Sequence, residues 1–214
     1  MNIRTPSNRI RRLPDQNVLG MWYATNFKRT RKVPVLLIRA DESVLVVIDM
    51  QERLVPAMQA PARTIRNTRT LLAGAQEMVV PVLMTEQYPD GLGKTVRDLT
   101  PPEGAQVLPK MHFSCMEDAG FAAAFRRLGR RQAVIAGMEA HICVVQTAAS
   151  MIEEGIEVFV VSDATASRTL ESERACTRRL SAIGAGIVTT EMVVFEWLGR
   201  AGTPAFKRML TYIK

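Results

Sequence analysis

Cys143, Asp49 and Lys110 are the residues best suited to nucleophilic chemistry in this 214-residue chain. Cys143 follows an apolar run and lies in the first turn of the next helical pattern. Free N–H groups and the macrodipole at a helix start favour an anion, and a thiolate so placed has a pKa below the free value of about 8.5. The alternative reading is a small buried core residue. Asp49 interrupts the apolar run Val44–Ile48, where a carboxylate is costly unless paired or functional. It reads as a general base for the thiol proton, or else as a cap on a nearby helix or turn. Lys110 ends the short run Val107-Leu108-Pro109. Alone it reads as an exposed lysine; beside Asp49 and Cys143 it would favour thiolate and carboxylate together.

Other candidates have simpler readings. Cys176 stands four residues before Leu180 and seven before Ile183, on an apolar helical stripe, and reads as core. Cys115 lies in a loop near Lys110, where it either packs or lines a pocket. Gly93-Lys94-Thr95 resembles the end of a phosphate-binding loop, but Tyr88 stands where that motif needs its first glycine, and Asp98-Leu99-Thr100-Pro101-Pro102 follows where it needs a helix. The two histidines, His112 and His141, cannot form a three-ligand zinc site without several carboxylates. A Cys–His dyad is the minority reading for Cys143. His141, two residues away at a helix start, would point elsewhere, so His112 is the better partner.

The elements that must position these residues are legible in the hydropathy pattern. Continuous apolar runs at 44–50, 80–86 and 132–138 predict strands buried on both faces, and 107–110, 157–164 and 186–190 predict further strands. Between them, 62–78, 117–128, 141–154 and 171–183 predict helices, with Gly155 and Gly184 as stops, and two short helices close the chain. Strand–helix alternation implies an α/β fold, a parallel sheet with helices on both faces. Active sites in such sheets lie at the carboxyl ends of strands. Asp49, Gln51, Glu86, Gln87, Lys110, the 137–143 turn and Asp163 all fall there.

The charge is unevenly spread. Arg4, Arg9, Arg11, Arg12, Lys28, Arg29, Arg31 and Lys32 outweigh Asp15 by seven, which is the whole formal charge of +7. The remainder sums to zero, so nucleic acid is not the expected partner of the globular part. Residues 1–36 read as a basic flexible extension, a targeting segment or a start assigned too far upstream, with at most weak nucleic-acid binding, and 37–214 as the domain. No apolar run is long enough to span a bilayer and no secretory signal is visible. Three sparse cysteines give no disulfide framework, so a reducing cytoplasm is expected.

Taken in order, VVIDMQERL (46–54), TEQYPDGLGKT (85–95), PKMHFS (109–114), GMEAHICVVQTA (137–148), SDATASR (162–168) and TTEMVVFEWL (189–198) resemble the isochorismatase-like cysteine hydrolases, over about 36–214. The resemblance implies a three-layer α/β/α fold with a roughly six-stranded parallel sheet. It implies a catalytic triad of Asp49, Lys110 and Cys143 that attacks an amide-like carbonyl through a thioester. It further implies a cis peptide at Met138–Glu139 and an oxyanion hole from the Glu139 and Cys143 N–H groups. Loops 51–60, 87–95 and 111–116 are expected to wall the pocket, with Gln51, Gln87 and Phe113 as liners. Nicotinamidase members use an Asp–His metal site, but no histidine precedes His112 here, so neither metal nor cofactor is expected. True isochorismatases lack the cysteine, which favours C–N over vinyl-ether cleavage. A non-catalytic member acting in assembly or ligand binding is the alternative. A small-molecule substrate and a homo-oligomer are expected partners, with Trp197, Leu198 and the C-terminal helix forming either a contact patch or core.

Overall fold

The apolar runs become six strands: β1 (Ser43–Ile48), β2 (Val82–Gln87), β3 (Gln106–Lys110), β4 (Gln132–Gly137), β5 (Glu157–Thr165) and β6 (Gly186–Val188). A computed structural model describes residues 37–213; the expectations for residues 1–36 lie outside them. Every neighbouring pair is parallel, in the order β3-β2-β1-β4-β5-β6. β1, β2 and β4 are buried along their whole length, which is why they read as unbroken apolar runs. β3 is an edge strand, mostly exposed, and tolerates Pro109 for that reason.

Helices α1 (Pro61–Glu77) and α6 (Thr190–Leu198) cover one face, packing Leu71, Leu72, Ala75, Val193 and Trp197 on Leu45 and Val47. Helices α3 (Ala119–Arg127), α4 (Val145–Glu153) and α5 (Leu170–Ala182) cover the other, with Phe121, Phe125, Ala148, Met151 and Leu180 on Val44, Val46 and Ile48. A single turn, α2 (Pro89–Leu92), follows β2, and α7 (Pro204–Ile213) ends the chain. This is the expected three-layer α/β/α fold with six parallel strands. Among the described residues no helix is long and apolar enough to cross a membrane. Of the two readings of Trp197, the core one holds: the ring is buried and its Nε1 donates to Ser43 Oγ at 3.2 Å.

Local chemistry moved some boundaries. The run 186–190 stops as a strand at Val188 because Thr189 caps α6, accepting from Met192 N–H, and Thr190 binds Asp163 Oδ1 through both N–H and Oγ1. The helix expected from 141 begins at Val145, preceded by a π-helical turn over Ala140–Val144, a form of turn common at functional sites. Gly155, at φ 83, ends α4 as expected.

The order of strands reverses between β1 and β4, the crevice where ligands bind in open parallel sheets. Asp49 leaves β1 and Cys143 follows β4 on its two sides. Gly137 lets them come together. A Cβ there would lie 2.6 Å from Ile48 O, at φ 158, so only glycine lets β4 press this closely on the end of β1.

Candidate active site

Backbone conformation marks this edge of the sheet. Asp49 (φ 54), Tyr88 (φ 37) and Glu139 (φ 51) are three of five non-glycine residues with positive φ among those described, and they follow β1, β2 and β4. Such conformations cost roughly 1–3 kcal/mol each and cluster at functional sites. The Met138–Glu139 peptide is trans, correcting the expected cis bond; Glu139 makes the change of direction through its left-handed φ.

Asp49, Lys110 and Cys143 meet at this edge. Lys110 Nζ lies 2.9 Å from Asp49 Oδ2 and 3.6 Å from Cys143 Sγ. Lys110 starts two strands from β1, and only a long side chain reaches across β2. Its register partner Gln87 guides it, accepting from Nζ through Oε1 at 2.5 Å, and His112 O accepts at 3.2 Å. Thr85 Oγ1 donates to Asp49 Oδ1 at 2.7 Å. Asp49 Oδ2 makes no well-angled hydrogen bond, so its contact with Lys110 is an ion pair rather than a directional bond. Both side chains are completely buried.

Burial alone would lower the Lys110 pKa, but the Asp49 charge raises it, and the ammonium is retained. Cys143 behaves oppositely to the expectation from its helix-start position. The residue is 2 % exposed; burial first, then the Asp49 charge, push its thiol pKa up, against Lys110, which lowers it. The macrodipole is outweighed because Cys143 lies ahead of α4, in a water-excluded turn. The enclosure thus favours the protonated thiol beside the Asp49–Lys110 ion pair.

The Cys143 N–H donates to Glu139 O at 3.1 Å, as does Ile142 N–H at 2.8 Å. In this conformation the Cys143 N–H is thus not aimed at an open position. The Glu139 carboxylate pairs with Arg168, in the loop after β5. Cys115 is wholly buried and packs in the core, its N–H donating to Thr147 Oγ1 at 3.0 Å. Burial pushes its thiol up to about 12, with Lys110 opposing and Asp49 reinforcing.

The expected pocket liners divide. Gln87 touches the trio through Lys110, while its Nε2 donates to Met111 O at 2.8 Å. Gln51 is a brace: Nε2 donates to Gln87 O (2.9 Å) and Gly93 O (2.7 Å), and Oε1 accepts from Gln87 N–H (2.8 Å), so its amide is spent on loop 87–95. Phe113 is 54 % exposed and lines a surface groove with Met111, Gln146 and Ser150 that includes none of the trio. Neither histidine serves Cys143. His112 Nδ1 lies 3.3 Å from Asp118 Oδ2, and His141 Nδ1 is 3.0 Å from Ser167 Oγ. Among the described residues no three His, Cys, Asp or Glu side chains converge as metal ligands would. Two features escaped the sequence reading. Thr85 carried the same signal as Asp49, a polar residue inside a buried run, and Glu86 was placed at the strand end but not in its role. Glu86 Oε1 accepts from Thr95 N–H (2.8 Å) and Oγ1 (3.0 Å), pinning loop 93–95.

A buried thiol, a carboxylate and an ammonium lie together at the switch point, and the family model for the isochorismatase domain matches residues 43–192. The chain belongs to this family. Isochorismatase domain-containing protein 1 of Danio rerio is 37 % identical over 172 residues, covering 80 % of this chain and 61 % of that protein. Protein 2 of the same organism is 34 % identical over 168 residues, covering 78 % and 84 %. The chain thus spans less than two thirds of the first relative. Among solved structures, MAR1 ribonuclease from Caenorhabditis elegans superposes with a TM-score of 0.78 at 30 % identity, over 83 % of this chain and 92 % of that one. The trio occupies the switch point of that fold.

Proposed function

We propose that the protein is a cysteine-dependent hydrolase of a small amide, imide or related C–N acyl compound. The observation that carries this reading is the buried line from Cys143 Sγ through Lys110 Nζ (3.6 Å) to Asp49 Oδ2 (2.9 Å). In the proposed cycle Cys143 Sγ attacks the acyl carbon as Asp49 takes the thiol proton. The C–N bond breaks, the leaving nitrogen takes that proton from Asp49, and a thioester remains. Asp49 then accepts a proton from water, which attacks the thioester, and the acid leaves as the thiol is restored. Lys110 stabilises the negative charge passing between sulfur and carboxylate. The Glu139 and Cys143 N–H groups form the proposed oxyanion hole, which requires the turn to release the bond from Cys143 N–H to Glu139 O; each such donor contributes about 3–4 kcal/mol. Gln87 faces the substrate side of Lys110. Water is the only co-reactant this cycle needs. A reducing cytoplasm suits three free thiols, and a homo-oligomer, testable by sedimentation, is part of the same proposal.

The test is a thioester trap. The full chain is exposed to a panel of small amides and imides and quenched in acid. Intact mass is expected to show an acyl adduct on Cys143 that Cys143→Ala lacks, with turnover abolished in that variant and its circular dichroism unchanged. Turnover retained by Cys143→Ala would sink the mechanism. The near-complete enclosure of Cys143 favours a second reading, a non-catalytic binding member. That reading predicts no adduct with any panel compound.

A further inference from the structure

A cavity of about 700 Å³ opens at the carboxyl end of β5, on the far side of the turn that carries Cys143. Its size falls in the range of about 300–1,000 Å³ that holds small molecules. Three guanidinium groups line it: Arg63 from the first turn of α1, and Arg174 and Arg178, one turn apart on α5. None of the three forms an ion pair with any carboxylate among the described residues. Glu173, the one acidic residue in the lining, has its Oε1 occupied by Ser167 N–H at 3.1 Å. Three positive charges therefore face one negative charge that is already engaged.

Arg63 supplies the more telling observation. Its Nε is buried and donates to nothing. A buried charged N–H without an acceptor is costly; Nε itself is closed off, and the terminal nitrogens of the same guanidinium, which are not so enclosed, are the ones an anion in the cavity would meet. Arg178 Nε, by contrast, already donates to Arg174 O at 3.3 Å. The cavity's hydroxyls do not compete for an anion. Those of Ser162, Thr165 and Thr177 donate to the carbonyls of Val188, Ser162 and Glu173. Recognition falls to the guanidinium forks, which match the paired oxygens of phosphate and carboxylate.

We infer that this cavity is a binding site for a small multiply charged anion, one presenting a phosphate or clustered carboxylates. The occupant would rest against the back of the nucleophile turn. Ala140, the first residue of that turn, forms part of the wall, and its carbonyl accepts the Cys176 thiol at 3.0 Å. The site owes nothing to the hydrolytic cycle proposed above and stands whether or not that cycle is correct.

The test is calorimetric titration of the full chain with inorganic phosphate and, separately, with citrate, at constant ionic strength set by chloride. Saturable binding of at least one is expected, together with a rise in the thermal midpoint that chloride does not give. Phosphate binding with no citrate binding assigns a phosphate group, and the reverse assigns clustered carboxylates. Arg63→Gln and Arg174→Gln should each weaken binding about tenfold or more. Lys207→Gln, which removes a positive charge on α7 outside the cavity, should leave it unchanged. Arg174 is exposed on α5, so Arg174→Gln decides the matter if Arg63→Gln does not fold. Binding no stronger than that of chloride overturns the site. So does saturable binding that both arginine variants keep, which would place the anion elsewhere, on the basic residues 4–32 for example.

Discussion

Lys110 is held in place by the charge it neutralises, and this makes the trio a structural as well as a chemical unit. Removing one partner of a buried ion pair strands the other, at a cost of about 3–5 kcal/mol. Lys110→Met should therefore destabilise the fold by about that amount, and Asp49→Asn combined with Lys110→Met should recover most of the loss. Urea unfolding of the two singles and the double gives the coupling; additive losses would show that the pair carries no mutual stabilisation. Both singles should lose about 10²–10⁴-fold in turnover. Their effect on the free thiol should differ in sign. Asp49 pushes the Cys143 pKa up and Lys110 pulls it down, so Asp49→Asn should speed alkylation of Cys143 by iodoacetamide at neutral pH, and Lys110→Met should slow it. Slower alkylation in Asp49→Asn would mean that Asp49 assists thiol attack as a base by more than its charge raises the thiol pKa.

Loop 93–95 is fastened to the sheet by Glu86, and this fastening has a pH signature. Burial alone would raise the Glu86 carboxyl, but hydrogen bonds from Thr95 N–H and Oγ1, with a smaller contribution from Lys94, hold it below the usual 4.5. A carboxyl lowered on folding contributes stability that is fully present above its unfolded value and is lost as pH falls through its folded one. The difference in stability between the native chain and Glu86→Gln should thus be constant above about pH 5 and should vanish in strong acid. Urea midpoints for both proteins across that range measure it, and a difference that persists at pH 2 would assign the effect to shape rather than charge. Glu86 also shows where the sequence stops being legible. The strands could be read because burial on both faces leaves a continuous apolar run, and Asp49 and Thr85 stand out as polar interruptions of such runs. Glu86 at a strand end was visible, but its partner Thr95 lies across a loop. The burial of Lys110 depends on β3 lying two strands from β1, which no local pattern encodes; resemblance, not spacing, singled it out. The raised pKa of the Cys143 thiol is hidden from the sequence for a related reason, since a helix start is a local feature and enclosure is a tertiary one.

At the scale of the whole molecule the reversal between β1 and β4 decides the layout. It opens one crevice, and the acid, the thiol and the long lysine side chain all converge there from three separate strands. Nothing in that crevice depends on the net charge, which belongs to residues 4–32 and leaves the remainder of the chain neutral. Any nucleic-acid binding through residues 4–32, the weaker reading of that charge, should therefore be separable from the proposed hydrolysis. The full chain should bind single-stranded RNA weakly, with an affinity that falls steeply as salt rises, by about 0.7 log units per log unit of salt for each phosphate neutralised. A chain beginning at residue 36 should lose that binding and keep its rate of thioester formation. Fluorescence anisotropy of a labelled oligonucleotide from 50 to about 300 mM salt, alongside the acyl-adduct assay, reads both. Binding that survives the deletion with its salt slope intact would move the RNA contact onto the hydrolase fold itself. The arginines of the β5 cavity would then be the first residues to substitute, because they form a cluster of cations without carboxylate partners among the described residues.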